Sequence, residues 1–366
     1  MSLKNSLLNG LESNNLNLRN RVAMAPLTRS RATVNNLPTP LMKTYYEQRS
    51  SAGLIISEAA PISEMGIGYL RVPGIFTKDQ IKAWKNITEG VHKKDGQIFM
   101  QLWHVGRNSH PDFLSGKSPV SASAIALNGN KETPLGLKPY TIPKALSMAE
   151  INKTIKDYAN AAANAIDAGF DGVQIHAANG YLIDQFLNDN TNFRNDAYGG
   201  SIENKCRLAI EICDAVCSSV GHEKVAIRLS PIGISGQVFN QQPIETHQYL
   251  VKMLNNFDLA FLEILESLVP IEKLPGNYPS KALSFFRPIY NGVLMSNGGY
   301  SAESAENEIR AGLADIISFG KAYISNPDLV KRIENNWPLE KWNKDTFYSE
   351  GPEGYIDYPF YDETQR

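Results

Sequence analysis

From residue 22 onward, short apolar runs alternate with amphipathic stretches about eight times, with no long break. The apolar runs predict strands at Val22–Ala25, Leu54–Ser57, Ile98–Leu102, Gly172–Ile175, Val225–Leu229, Ala260–Ile264, Gly292–Met295 and Asp315–Ser318. Helices are expected near 40–50, 78–93, 147–168, 201–219, 243–256, 280–288, 301–311 and 326–336. Serial β-then-α units bury each strand on both faces, and eight of them close most economically into a parallel barrel. Local signals agree. Ser147 and Glu150 form a capping box, Ser301 opens the next-to-last helix in the same polar style, and Gly169 suits a helix stop. A chain of 366 residues could hold two domains, but α/β barrels commonly use such lengths as one. We therefore read residues 1–366 as a single α/β domain, a (β/α)8 TIM barrel with an N-terminal hairpin cap. Residues 104–146, rich in Ser, Pro, Gly and Asn, form a long loop after the third strand. Loops of that length inside a compact fold usually cover a substrate.

Charge excludes some function classes. Thirty-six basic against 38 acidic residues leave a net of −2, so no positive field is available for nucleic acid or an anionic membrane. No apolar run reaches the roughly 20 residues that a membrane-spanning helix needs. The start, Met1-Ser2-Leu3-Lys4-Asn5-Ser6, does not read as a signal peptide, and a cytoplasmic location is the simplest expectation. Cys206, Cys213 and Cys217 fall in one predicted helix, with the last two one turn apart. They read as small core residues rather than disulfide partners or ligands.

In a barrel of this kind, catalytic groups stand at the C-terminal ends of the strands. The predicted ends here are polar nearly all the way round. Strand one runs into Ala25-Pro26-Leu27-Thr28, strand three into Gln101-Leu102-Trp103-His104, and strand five ends at Arg228. Strand four runs into His176-Ala177-Ala178-Asn179-Gly180-Tyr181, strand seven into Ser296-Asn297-Gly298-Gly299, and strand eight into Phe319-Gly320-Lys321. Gly-Gly is commonly just a turn. After strand seven of a barrel, with a lysine after strand eight, it is also where backbone N–H groups approach a phosphate. A strand-end histidine is commonly structural. His176, Asn179 and Tyr181 together, however, offer two donors for one carbonyl oxygen and a phenol that can supply a proton. No amino acid donates hydride, so such a site needs a nicotinamide or a flavin.

The same residues carry a resemblance to the old yellow enzyme family, in particular its N-ethylmaleimide reductase-like and oxophytodienoate reductase-like branch. The matching segments are Asn20 to Arg29, Gly53 to Ala59, Gln101 to Arg107, His176 to Leu187, Tyr198 to Asn204, and Asn326-Pro327-Asp328-Leu329. They span nearly the whole chain. The resemblance implies a barrel holding FMN noncovalently at its mouth, with NADPH or NADH as reductant. It puts Pro26 and Thr28 beside the flavin ring, Ala59 at its pyrimidine end, and Gln101 and Arg228 at its O2/N3 edge. It puts Asn297, Gly298, Gly299, Gly320 and Lys321 near the phosphate.

His176 and Asn179 would bind the carbonyl oxygen of an electrophilic alkene. Hydride from flavin N5 would reach the β-carbon, and Tyr181 would protonate the α-carbon. Tyr69, Trp103 and Tyr348 would wall the substrate site, although aromatic residues at a barrel rim also serve simply to fill space. Many relatives have Arg where this chain has Lys321, which keeps the charge but loses the planar fork. Residues from Ile234 to Gln242 depart from the family pattern. Monomer and homodimer are both compatible with the sequence.

Three rival readings make different demands on the chain. An iron–sulfur dienoyl reductase needs four clustered cysteines. A metal-dependent hydrolase could use His104 and His176, but lacks a third histidine or a convincing carboxylate set, so no metal is expected. A flavin-binding protein without catalysis would show no turnover of NADPH with an enone.

Overall fold

The computed structural model describes residues 6–13, 15–233, 235–269 and 281–362. Eight strands form where the apolar runs predict them: β1 Val22–Met24, β2 Leu54–Ile56, β3 Ile98–Trp103 and β4 Gly172–Ala177, then β5 Val225–Leu229, β6 Phe261–Leu265, β7 Leu294–Asn297 and β8 Ile316–Phe319. Each pairs in parallel with the next, β8 pairs with β1, and the ring closes. The principal helices are α1 Pro40–Gln48, α2 Lys78–His92, α3 Met148–Asp167 and α4 Ile202–Val220, then α5 Pro243–Leu254, α6 Leu283–Phe286, α7 Ala302–Arg310 and α8 Leu329–Asn335. The segment expected near 280–288 shortens to α6, and residue 280 itself lies outside the described residues.

Strand side chains alternate between two cores, as the two-residue period of a strand dictates. Val22, Ile55, Met100, Val173, Ile227, Leu262 and Ile317 belong to the large core shared with the helices. Their neighbours Ala23, Leu54, Phe99, Ala226, Phe261, Met295 and Ile316 form a second, inner cluster. Leu11, Leu16 and Leu18 join that inner cluster from a short antiparallel hairpin, Leu11–Glu12 with Asn17–Leu18. The expected N-terminal cap thus plugs one end of the barrel with three leucines, leaving the other end for chemistry.

Helix starts follow the sequence signals. Capping boxes occur at Thr77 and Gln80 for α2, Ser147 and Glu150 for α3, and Ser301 and Ser304 for α7. Each satisfies orphan N–H groups of the first turn. Gly169 follows α3 at φ 85°, a left-handed stop that a side chain would strain. Cys206, Cys213 and Cys217 are free and buried in α4, and burial raises each thiol above its ordinary value.

The segment after β3 has internal order. Val120–Ser121 pairs in parallel with Lys144–Ala145, and Asn130–Thr133 folds back on Gly136–Pro139 as an antiparallel hairpin. Buried Arg107 fixes this segment to the loop after β5. Its guanidinium donates to the carbonyls of Ile125, Gly236 and Gln237 at 3.3, 3.0 and 3.0 Å. The described part of the departing stretch, residues 235–242, is therefore a prop for this segment, with Gln237 and Asn128 exchanging two hydrogen bonds. Position 234 lies outside the described residues.

The C-terminal tail is held by two arginines that follow β1. Arg29, 1% exposed, donates to the carbonyls of Phe347 and Gly354 and to the Tyr45 hydroxyl. Arg31 donates to six oxygens between Arg29 and Glu353, the Phe347 carbonyl being shared with Arg29. Tyr355 stacks on Tyr45 at 4.2 Å between ring centroids and lies under both guanidinium groups. Replacing Arg29 by Leu strands buried carbonyls, an effect of about 3 kcal/mol. The Arg29→Leu variant is expected to unfold at lower urea and to be cut by protease between residues 345 and 356. An unchanged midpoint with a protected tail would show that Arg29 does not anchor it.

Candidate active site

At the open end the interior turns polar. Gln101 on β3, Gln174 on β4, Glu263 on β6 and Ser318 on β8 meet across the barrel. Gln101 Nε2 donates to Gln174 Oε1 at 2.8 Å, and Gln174 Nε2 donates to Glu263 Oε2 at 2.7 Å. Ser318 Oγ donates to Glu263 Oε1 at 2.6 Å. An unpaired buried carboxylate would cost several kcal/mol, so both oxygens of Glu263 being occupied is the condition for its being there at all. The compensating charge is Arg228 on β5, whose Nε lies 3.6 Å from Glu263 Oε2. That is an ion pair without a hydrogen bond, and the Arg228 Nε has no acceptor. Arg228 is instead aimed by Asn297, whose Oδ1 accepts from Nη2 at 2.8 Å while its Nδ2 donates to the Ser318 carbonyl.

Above this network sits the β4 turn. His176 is 4% exposed, and its Nδ1 is buried without a partner. Burial, assisted by the nearby positive charge of Arg228, pushes the imidazole well below its ordinary value. Asn179 has φ 59°, a left-handed conformation that Asn tolerates better than most residues. Gly180 follows at φ 75°, and a Cβ there would lie 2.5 Å from the Ser235 carbonyl oxygen. Only glycine satisfies both conditions. The turn is then pinned from below. Asp184 Oδ2 accepts from the Gly180 N–H at 2.7 Å, and Ser230 Oγ accepts from the Asn179 N–H at 2.8 Å. Burial raises the Asp184 carboxyl to about 7.

Tyr181 begins the short helix Leu182–Leu187, and its ring meets His176 edge-on at 5.0 Å between centroids. Burial first, then Tyr69, pushes its phenol well above the ordinary value. Its hydroxyl lies 3.1 Å from that of Tyr69. Trp103 stacks on Tyr69 at 5.1 Å and meets Tyr181 edge-on at 4.9 Å; its indole N–H is buried without an acceptor. Ala59 packs into the same cluster with Val72 and Val105. Tyr69 and Trp103 are thus contiguous with the histidine and tyrosine. Tyr348 is 63% exposed on the tail, where the Arg71 guanidinium donates to its carbonyl.

The remaining predicted residues lie around the same rim. Pro26 and Thr28 are partly exposed in the loop after β1. Asn297 is occupied by Arg228 and Ser318, so the loop after β7 presents the backbone of Gly298 and Gly299, at φ 152° and 75°. Gly320 caps the short helix Lys321–Ser325 after β8. Lys321 is exposed and its ammonium lies 5.1 Å from the Trp342 ring centroid. His104 is buried and held down to about 3 by desolvation; its Nδ1 accepts from the Gly106 N–H. Among the described residues, no group of three or more His, Cys, Asp or Glu side chains is placed to hold a metal ion, and no helix is long and apolar enough to cross a membrane.

Sequence reasoning missed Gln174, Glu263, Ser318, Asp184 and Ser230. For Gln174 and Glu263 the signal was present, since each is a large polar residue inside an otherwise apolar strand.

Comparison with known proteins places this geometry. Residues 6–340 match the model of the NADH:flavin oxidoreductase / NADH oxidase family. The chain is 40% identical to 12-oxophytodienoate reductase 1 of Oryza sativa subsp. japonica, over 98% of this chain and 93% of that protein. It is 38% identical to 12-oxophytodienoate reductase 2 of Arabidopsis thaliana, over 98% and 96%. Among solved structures, the old yellow enzyme homologue from Zymomonas mobilis superposes with a TM-score of 0.93 at 43% identity, covering 97% of this chain and 100% of that one. Morphinone reductase in complex with tetrahydroNAD gives 0.92 at 41% identity, covering 99% of each. The chain therefore belongs to the NADH:flavin oxidoreductase / NADH oxidase family, and it is an NAD(P)H-dependent flavin oxidoreductase.

Proposed function

We propose that this protein is an ene-reductase that binds FMN noncovalently at the barrel mouth. It draws on NADPH or NADH and reduces the C=C bond of α,β-unsaturated carbonyl, imide or nitro compounds. The observation that carries the reading is a set of polar atoms at one mouth that the protein itself leaves unsatisfied. They are Arg228 Nε, His176 Nδ1 and the Trp103 indole N–H. Buried polar atoms without partners carry a cost, and three around one opening fit a polar ligand. Beside them lies a phenol set against a neutral histidine.

The residues fit FMN in the following roles. Pro26, Thr28 and Ala59 flank the ring, and Gln101 and Arg228 meet its polar edge, with the guanidinium suited to negative charge there. Gly298, Gly299 and Gly320 offer backbone approach to the phosphate, with Lys321 as a point charge nearby. FMN, when bound, supplies the redox centre between the nicotinamide coenzyme and the alkene.

The protein's own contribution is orientation and the proton. His176 and Asn179 hold the substrate's carbonyl or nitro oxygen and draw charge toward it. Because His176 is neutral, it polarises by hydrogen bonding and places no full cation beside Arg228. Tyr181 gives its proton to the α-carbon. Trp103 and Tyr69 keep water from that carbon, and the lid hairpin closes over them. Relatives named oxophytodienoate reductase and morphinone reductase indicate the bulk such a site can admit. A protein that merely bound flavin would have no use for the acid.

Two outcomes test this. Replacing Tyr181 by Phe is expected to slow reoxidation of the NADPH-reduced protein by 2-cyclohexenone about 100-fold or more, the range of a lost general acid. Stopped-flow absorbance should show reduction by NADPH unchanged; equal damage to both phases would remove Tyr181 from the acid role. Phenol binding, read from its charge-transfer absorbance, should show no step near pH 6.5, where an ordinary histidine titrates. A step there that vanishes in His176→Gln would mean that His176 titrates in the working range.

A further inference from the structure

Lys131 lies on the inner face of the lid hairpin and is 5% exposed. It stands directly opposite Lys138 in the hairpin register, an arrangement in which like charges repel. The two lysines are handled differently. Lys138 pairs with Asp112 at 2.7 Å, and Thr133 donates to the same carboxylate at 2.7 Å. Among the described residues, Lys131 has no carboxylate within ion-pair distance. Its Nζ sits 3.4 Å from the centroid of the Tyr69 ring. A lysine at a hairpin edge ordinarily extends its head into water, so burying this one over an aromatic face is a costly placement.

Tyr69 connects that placement to the site. Its hydroxyl is 3.1 Å from the Tyr181 hydroxyl. A cation held against the face of a phenol withdraws electron density from the ring and makes its O–H a stronger donor. We propose that Lys131 is a positioning residue for proton transfer: through Tyr69, its ammonium stabilises the phenolate that Tyr181 becomes when it releases its proton. This rests on the reading of Tyr181 as the acid. In that step the Tyr181 O–H bond breaks and its electron pair stays on oxygen. The proton bonds to the α-carbon, which carries the electron pair left by hydride addition at the β-carbon; the hydride derives from NAD(P)H. Tyr69 then donates to the new phenolate, and solvent later restores the proton.

The need for help is evident from the surroundings. Burial opposes ionisation of Tyr181, and the phenols of Tyr69, Tyr348 and Tyr140 add to that opposition. His176, packed on the Tyr181 ring, is held neutral. On the lid side, Lys131 stands against the ring of Tyr69. Burial brings its ammonium down to about 7, with only exposed Glu132 acting against that fall, while Asp112 is occupied by Lys138 and Thr133. Lys131 is therefore a cation below about pH 7 and a neutral amine above it.

The test compares wild type with Lys131→Met, which keeps the apolar stem, and Lys131→Arg, which stays charged throughout. Near pH 6, reoxidation by 2-cyclohexenone should be about tenfold slower in Lys131→Met, with reduction by NADPH unchanged. As pH rises through about 7, the wild-type rate should fall toward that of Lys131→Met, while Lys131→Arg stays fast. Independently of turnover, NMR of protein labelled at lysine Cε should show one lysine titrating near neutrality, moving lower still in Tyr69→Leu. Coincident pH profiles for wild type and Lys131→Met would overturn the proposal, as would equal slowing of both phases, which marks a coenzyme contact. If Tyr181→Phe is slow and Lys131→Met is not, Lys131 alone is excluded; if Tyr181→Phe reoxidises normally, the acid assignment fails and the proposal falls with it.

Discussion

A carboxylate with no exposure to water, Glu263, fixes the middle of this barrel. Its two oxygens are taken by Gln174 and Ser318, which draws β4, β6 and β8 together, and Gln101 extends the chain to β3. The same negative charge is what allows Arg228 to be buried facing the mouth. Because Glu263 is satisfied by neutral donors, it holds Arg228 by charge alone and leaves guanidinium N–H groups uncommitted. A closer, bidentate pair would have been a better salt bridge and a poorer site. The upper layers follow from that arrangement: Asn297 turns Arg228, and Arg228 adds to the burial that keeps His176 neutral.

The two ends of the barrel solve opposite problems with the same strand geometry. At the closed end, inward residues such as Phe99, Phe261 and Ile316 are apolar, and three hairpin leucines complete their packing. Two residues further along the strands, the inward positions become Gln101, Arg228, Glu263 and Ser318, and beyond them Trp103 and His176 lie near the loops. Polarity therefore rises along the barrel axis, from a dry plug to a mouth whose donors lack partners. The tail, clamped by Arg29 and Arg31, and the lid, clamped by Arg107 and Asp112, frame that mouth from outside.

Much of this was legible in the residues. Eight buried strands read as apolar runs because parallel strands are covered on both faces, and the helix starts at Ser147 and Ser301 carried their own capping chemistry. The helix Leu182–Leu187 was not distinguishable, since all six of its residues are buried and it shows no polar face from which a period could be taken. His176, Asn179 and Tyr181 were visible as a cluster because they share one loop. Ser318 and Ser230 were not, because their partners are distant in the chain and only closure of the ring brings them together. Lys131 illustrates the same blindness on the lid: Asn130-Lys131-Glu132-Thr133 is as polar as any surface turn, and nothing local reveals that its lysine points inward onto Tyr69.

The backbone-to-backbone approach of Gly180 to the Ser235–Gly236 stretch has a consequence for how such a scaffold can diversify. With no room for a methyl group between them, these two loops act as one rigid floor, and random change there is filtered by steric failure before catalysis is ever sampled. The lid is fastened differently, by a few polar clasps at Arg107, Asp112 and Gln237 whose intervening residues are free to vary in length and character. New substrate preferences on this framework should therefore accumulate in the roof, and changes in the floor should be confined to those that keep the close approach to Gly180.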